Sequence, residues 1–352
     1  MYYSINFFND WEEDLKMLPN EDWCDDIKKT VSFWMDEKID SLSMKTSGSS
    51  GPPKLISHPK HYIKKSAQRT ITFFKLNNTS TILSSLPAKY VGGKMMIIRA
   101  IEAKCILLIS KPTSNPLLHQ SIQNVDLAAF TPLQMHEVIN DPSSTNSLSN
   151  IRNTIIGGAP IAESTLLKLR DIKTNIYETF GMTETVSHIA LKQICPNHES
   201  AFETLTGISI SINSDQCLVI SIDNGLKIET NDIVNFISEN RFEWISRKDN
   251  IINSGGIKIQ IKSLEERLSK FIDFPFFISK QKNDKYGELV CLVTLSINEK
   301  KLINFNFKTK IAKHEIPKKI ILINDFIYTE TNKLIRDLKQ YNILKEISTS
   351  GK

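Results

Sequence analysis

Thr46-Ser47-Gly48-Ser49-Ser50-Gly51-Pro52-Pro53-Lys54 sets four hydroxyls, two glycines and a lysine within one short run. Glycine lets the backbone approach a phosphate closely, while hydroxyls, free N–H groups and an ammonium supply donors. The stretch therefore predicts a loop that wraps phosphate oxygens. It is not the nucleotide-binding pattern in which Gly-Lys-Ser/Thr follows a four-residue gap, because Lys54 stands between Pro53 and Leu55. A flexible Ser/Gly linker is the structural alternative, and the segments that follow must decide between them.

The chain of 352 residues suits two or three domains or subdomains. With 40% apolar and 24% charged residues it has the composition of a folded globular protein. A net charge of +5 fits a small anionic ligand, but the basic blocks of a nucleic-acid binder are missing. Cys24, Cys105, Cys195, Cys217 and Cys291 are scattered and never spaced C-x-x-C, which argues against a disulfide framework or a zinc site. The acidic start (Asp10, Glu12, Glu13, Asp14) is unlike a secretory leader, and no run reaches the ~18 apolar residues of a membrane span. A cytoplasmic protein is expected.

Residues 20–40 carry Trp23, Ile27, Val31, Trp34, Met35 and Ile39 at helical spacing, predicting an amphipathic helix. A second helix is expected over 59–75, starting at Pro59, so that the Ser/Gly loop joins a strand to a helix. Strand-like runs at 82–86, 105–109 and 154–156 alternate with helices at 94–103 and 132–139, the latter capped by Thr131. Residues 140–150 read as a surface loop. From 205 to 245 short strands with turns at Asn213-Ser214-Asp215 and Asn224-Gly225 predict a mostly β segment. Beyond it a strand at 257–261, a helix capped by Ser263 with Glu266, and strands at 289–295 and 319–323 suggest a small α+β domain. The expected fold class is α/β: a large N-terminal domain, residues 1–248, with mixed and parallel sheets, and a small α+β C-terminal domain, residues 249–352.

Four further segments accompany the loop. Gly157-Gly158-Ala159-Pro160 follows an apolar strand, where a flat ligand could lie against the backbone; a helix-start turn would use the same residues. Tyr177-Glu178-Thr179-Phe180-Gly181-Met182-Thr183-Glu184-Thr185 combines an aromatic face, a glycine, a hydroxyl and a carboxylate, suited to stacking a base and holding Mg²⁺. Asp232 in Thr230-Asn231-Asp232, with Ser246-Arg247-Lys248-Asp249, offers a carboxylate for two ribose hydroxyls and a guanidinium donor. Thr329-Glu330-Thr331-Asn332-Lys333-Leu334-Ile335-Arg336 carries a lysine that, alone, would read as a solvated side chain.

In this order the segments resemble the adenylate-forming superfamily of acyl-CoA synthetases, peptide-synthetase adenylation domains and luciferases, over residues 46–336. The departures are Asn332 for glycine, Leu334 for isoleucine, Asn231 and Ser246 for glycines, and Phe180 for tyrosine. The resemblance implies an enzyme that uses ATP and Mg²⁺ to make an acyl-adenylate and then passes the acyl group to coenzyme A. It implies that Thr46, Ser47, Gly48, Ser49, Ser50 and Gly51 hold the β and γ phosphates, with Lys54 supporting that loop. Gly158, Ala159, Pro160, Phe180 and Gly181 would border adenine, Asp232 and Arg247 would hold ribose, and Thr183 and Glu184 would serve the metal and phosphates. Lys333 would be the catalytic lysine, Asp249 the hinge, and Gly255, Gly256 and Lys258 would approach coenzyme A. The phosphate loop begins early relative to typical members, so the large domain is expected to be truncated at its N-terminus, its flank covered by the 20–40 helix or by a homodimer contact.

Residues 86–100 (LPAKYVGGKMMIIRA) and GMTETVSHIA most resemble o-succinylbenzoate:CoA ligases of menaquinone biosynthesis. Such a substrate has a second carboxylate that needs a cation or strong donors. Lys89, Lys94 and Arg99 are the candidates, Lys94 first, with Tyr90, Ser187 and His188 as further pocket residues. The alternatives are a CoA ligase for another aryl or short-chain acid, a peptide-synthetase-type adenylation domain, and a non-catalytic nucleotide-binding relative.

Overall fold

The computed structural model of the chain describes residues 2–45, 55–119, 122–223, 225–328 and 334–349. The Ser/Gly loop at 46–54 and Lys333 lie outside them. A twelve-stranded sheet organises the first part of the chain. Its parallel half runs Ile106–Ser110, Thr81–Ser84, Val125–Phe130, Ile151–Ile156, Asn175–Gly181. These are short apolar runs because both faces of this half are covered. Leu127, Ala129 and Ile155 join one core with residues of helices Asp22–Met35, Lys60–Phe74 and Val91–Ala103. Ala128, Phe130 and Ile156, their neighbours in sequence, join the other with Pro132–Asn140 and Glu163–Leu169. Tyr2–Asn6 pairs antiparallel with Ile106–Ser110 and closes that edge of the sheet.

From His188–Cys195 onward the sheet is antiparallel, continuing through Phe202–Thr204, Arg241–Arg247, Leu226–Ser238, Cys217–Ile222 and Ile208–Ile212. After the 3₁₀ turn Lys248–Asn250 the chain builds a six-stranded sheet from Ile251–Ser254, Ile257–Gln260, Phe276–Asn283, Gly287–Leu295, Lys319–Ile323 and Ile343–Ser348. Gly287–Leu295 and Lys319–Ile323 are parallel in it, and helix Ile261–Leu268 packs against it through Ile261, Leu264 and Leu268.

Several expectations are corrected. Ser41–Lys45 and Leu55–Pro59 pair as an antiparallel hairpin with Lys45 opposite Leu55, so the segment between them connects two strands, and the helix begins only at Lys60. The 20–40 helix ends at Met35, and the one expected from Lys94 begins at Val91. Residues 140–150 contain helix Pro142–Leu148, whose start is capped by the Asp141 carboxylate accepting from Ser144 N at 2.8 Å. Ser263 lies inside helix Ile261–Leu268 and does not cap it.

Candidate active site

All five parallel strands of the main sheet end on one side, where open α/β sheets bind their ligands. Two of the sequence motifs form adjacent turns there. Ile156 is in register with Glu178, so Gly157 follows one strand beside Thr179 of the next. A Cβ on Gly157 would stand 2.1 Å from Thr179 Oγ1, which explains the glycine by close approach. Gly158 has φ 92° with open space around it, and Ala159 and Pro160 are exposed beside it.

The second turn runs from Gly181 to Ser187. A Cβ on Gly181 would lie 2.3 Å from Ser187 O and 2.4 Å from the His188 Cα, so only glycine lets the turn close on itself. Thr185 Oγ1 accepts from Met182 N at 3.0 Å and donates to Ser187 O at 2.7 Å. Val186 N donates to Thr183 O, with Val186 itself at φ 69°, a costly conformation for a β-branched residue. The strain stays because the surrounding bonds over-determine the turn. Glu184 is thereby held outward and exposed at its tip, with Thr183 buried beneath. Mg²⁺ is commonly bound by one or two carboxylates together with substrate phosphates and water, and a lone projecting glutamate fits that mode. Among the described residues no group of three metal-ligating side chains forms a ready-made protein cage.

His58 was not singled out in the sequence. It lies on Leu55–Pro59, just beyond the Ser/Gly loop, and its Nε2 is 2.8 Å from Thr183 O. A carbonyl only accepts, so Nε2 carries the proton. This buried bond ties the strand leaving the loop to the turn that presents Glu184.

Beneath Ser187 sits a buried cation. Arg99 of helix Val91–Ala103 is 1% exposed, donates through Nη2 to Ser187 Oγ at 2.9 Å and reaches His188 Nδ1 at 3.5 Å. Its Nε has no hydrogen-bond partner, and among the described residues no carboxylate pairs with it. Burial pulls the guanidinium down to about 9, which leaves it charged at neutral pH. His188 is held well below its ordinary 6.5 by burial and then by Arg99. Because a guanidinium only donates, His188 Nδ1 accepts and Nε2–H donates to Thr70 Oγ1 at 3.0 Å. His188 is thus a neutral support under Ser187 and Arg99. Lys94, on the same helix, is half-buried and loses basicity through burial, with the charge of Asp26 on helix Asp22–Met35 acting the other way. Lys89 is exposed, its Nζ over the Tyr90 ring at 5.1 Å.

Phe180 is half-buried, edge-on to Phe242 at 5.0 Å and tilted to Phe202 at 5.7 Å, so part of the ring expected to meet a base serves the core. Phe242 connects it to strand Arg241–Arg247, where Arg247 is the register partner of Asp232. Asp232 is 6% exposed and accepts from Trp244 Nε1 at 2.9 Å. Arg247 Nη2 donates to Asp249 Oδ2 at 3.1 Å, and Asn231 Nδ2 reaches the same oxygen at 3.4 Å. Gly255 and Gly256, at φ 60° and 82°, form the two-residue turn between Ile251–Ser254 and Ile257–Gln260, which demands positive φ at both. Lys258 is exposed just after it.

A parallel half-sheet covered on both faces, with glycine turns at the carboxyl ends of its strands, has the architecture of an α/β protein that takes its ligand at that edge. The chain belongs to the AMP-binding enzyme family, which matches residues 34–232, more than half of its length. This is the adenylate-forming fold. Among curated relatives, 2-succinylbenzoate–CoA ligase of Lactococcus lactis is 25% identical over 327 residues, 86% of this chain and 70% of the relative. The enzyme of that name from Staphylococcus epidermidis is 24% identical over 331 residues, 85% and 69% of the two chains. Among solved structures, an acyl-CoA synthetase (AMP-forming)/AMP-acid ligase II-like protein from Dyadobacter fermentans aligns with a TM-score of 0.65 and 27% identity, over 97% of this chain and 98% of that one. The o-succinylbenzoate coenzyme A synthetase of Bacillus subtilis, in complex with ATP and magnesium, aligns at 0.64 and 19% identity, over 84% and 69%.

Proposed function

We propose that the chain is an AMP-forming acid:CoA ligase whose acid is o-succinylbenzoate. The observation that carries the choice of acid is Arg99, a buried, charged guanidinium beside Ser187 with no carboxylate partner among the described residues. A cation in that condition has exchanged its hydration for a few neutral partners, and a second carboxylate on the substrate would supply the missing counter-charge by charge-assisted hydrogen bonds. Lys94, the first candidate from the sequence, is only half-buried and keeps more of its hydration than Arg99, which is therefore preferred.

In the first step an oxygen of the substrate's other carboxylate attacks the α-phosphorus of ATP. A P–O bond forms, the bond to the β-phosphate bridging oxygen breaks, and diphosphate leaves. Residues 46–51 with Lys54 would hold the phosphates, Asp232 and Arg247 the ribose, and Phe180, Gly181 and residues 158–160 the adenine. Glu184 would hold Mg²⁺, which when bound neutralises phosphate charge, with Thr183 beside it at the nucleotide. Lys333 would stabilise the charge that develops between the acyl oxygen and the phosphate. In the second step the sulfur of coenzyme A attacks the acyl carbon, a C–S bond forms, the C–O bond to AMP breaks, and the thiol proton leaves to solvent. Residues 249–352 would rotate about Asp249 between the steps and bring Gly255, Gly256 and Lys258 towards the thiol.

The test is ATP–pyrophosphate exchange and thioester formation over a panel of acids. o-Succinylbenzoate should support both, and benzoate and short fatty acids should support neither. Arg99→Met should raise KM for o-succinylbenzoate by about 100-fold while KM for ATP stays within about twofold. It should still fold, since among the described residues no carboxylate pairs with Arg99 to be left stranded by the change. Equal use of benzoate, or an indifferent Arg99→Met, would overturn the choice of acid.

A further inference from the structure

We infer that Trp244 is a positioning residue for nucleotide recognition, aiming the Asp232 carboxylate at ribose. The inference rests on the reading of Asp232 as the ribose ligand. Asp232 lies on the long strand Leu226–Ser238 and Trp244 on its antiparallel neighbour Arg241–Arg247. Ile233 pairs with Ser246 but Val234 pairs with Trp244, so Ile245 is an extra residue without an opposite number. Such a bulge re-aims the side chains beyond it. Here it returns Trp244 to the face shared by Val234 and Asp232, where strict alternation would have turned the indole to the other side.

On that face the indole Nε1–H donates to Asp232 Oδ1 at 2.9 Å. Indole nitrogen is a donor only, so this contact engages one chosen carboxylate oxygen and leaves Oδ2 to accept from a ligand hydroxyl. Among the described residues Trp244 is the sole side chain donating to this carboxylate. The backbone is fixed separately: Asp232 N donates to Thr230 Oγ1 at 3.0 Å, and Thr230 Oγ1 donates to Leu218 O at 2.9 Å. Main chain and carboxylate are therefore held by two independent sets of bonds. Loss of the indole N–H would free the carboxylate to rotate while the strand stays in place.

The experiment measures Kd by calorimetry for Mg·ATP and Mg·2′-deoxy-ATP, so it needs no acid substrate. Wild type should favour ATP by about tenfold or more. Trp244→Phe keeps the ring and deletes the N–H; it should cut that preference by about fivefold while 2′-deoxy-ATP binds as before. Asp232→Asn should bring the ratio near one. A merely structural tryptophan would weaken both nucleotides alike. An unchanged ratio in Trp244→Phe, with a reduced one in Asp232→Asn, would overturn the role of Trp244 alone. An unchanged ratio in Asp232→Asn would overturn the ribose reading itself. Should Trp244→Phe fail to fold, the indole ¹⁵N–¹H resonance of Trp244 in wild type, assigned by eliminating Trp11, Trp23 and Trp34, gives the second readout. ATP should shift it more than 2′-deoxy-ATP does, and equal shifts would overturn the proposal.

Discussion

His188 turns its burial into a pH dependence. Folded, it stays neutral well below 6.5, because burial and the adjacent Arg99 both oppose a second positive charge. Unfolded, it takes up a proton as the pH falls through its ordinary value of 6.5. The unfolded state thus binds more protons on the acid side, so stability from this residue is complete above 6.5 and is lost as the pH drops below it. The slope should approach ~1.4 kcal/mol per pH unit. Denaturant unfolding at pH 7.5 and 5.5 should show the loss, and His188→Gln should flatten it; a slope unchanged in the variant would count against this account. Ser187 and His188 were visible in the sequence as neighbours of Glu184, but not the order of their contacts. Arg99 is among the candidate cations of the sequence, but Lys94 comes first there, because nothing in the sequence tells which of them is buried. Its position under Ser187 is set by packing between elements 88 residues apart.

Helix Val91–Ala103 carries two adjacent glycines with opposite requirements. An alanine in a helix interior is ordinarily better than glycine by ~1 kcal/mol. At Gly92 the nearest atom to an added Cβ is Leu86 Cδ1 at 3.3 Å, the end of a flexible side chain, so Gly92→Ala should be neutral or mildly stabilising. At Gly93 the Cβ would meet Pro87 O at 2.4 Å and Leu86 O at 2.8 Å, both backbone. Gly93→Ala should therefore destabilise by about 2–3 kcal/mol and displace the segment leading into the helix that bears Arg99. Thermal melts should show Gly93→Ala clearly lowered and Gly92→Ala unchanged or raised, and similar drops in both would sink the packing argument. Elements with their own punctuation were legible. Thr131 and Gln134 form a full capping box at the start of Pro132–Asn140, as the threonine suggested. Pro142–Leu148 escaped notice because its polar residues show no apolar period, although Asp141-Pro142 is itself a helix-start signal. The bulge at Ile245 left no mark in the sequence, since an extra residue in a strand exists only relative to its partner.

At the scale of the molecule, the described buried residues sort into cores that do not cross the turn Lys248–Asn250. Three hydrophobic clusters draw only on residues up to Phe242, and two only on residues from Ile252 onward. Separate cores joined at a short turn are what a rotating body requires. The boundary expected at 248/249 comes from the order of motifs, since the resemblance puts a hinge between the residues proposed for ribose and the proposed lysine. At the turn itself, Arg247 pairs with Asp249 at 3.1 Å, but both side chains are well exposed to water, at 36% and 51% respectively, so the pair adds at most ~1 kcal/mol. Asp249→Ala removes that pair and keeps the backbone free, and both half-reactions should stay near wild type. Asp249→Pro fixes φ and disfavours the helical conformation of Lys248 that precedes it, confining the turn to fewer arrangements. Thioester formation should then fall on the order of 100-fold, while acid-dependent ATP–pyrophosphate exchange is spared. Measuring the two half-reactions separately in both variants decides the matter: equal loss of both in Asp249→Pro, or a matching loss in Asp249→Ala, would remove the hinge from the mechanism.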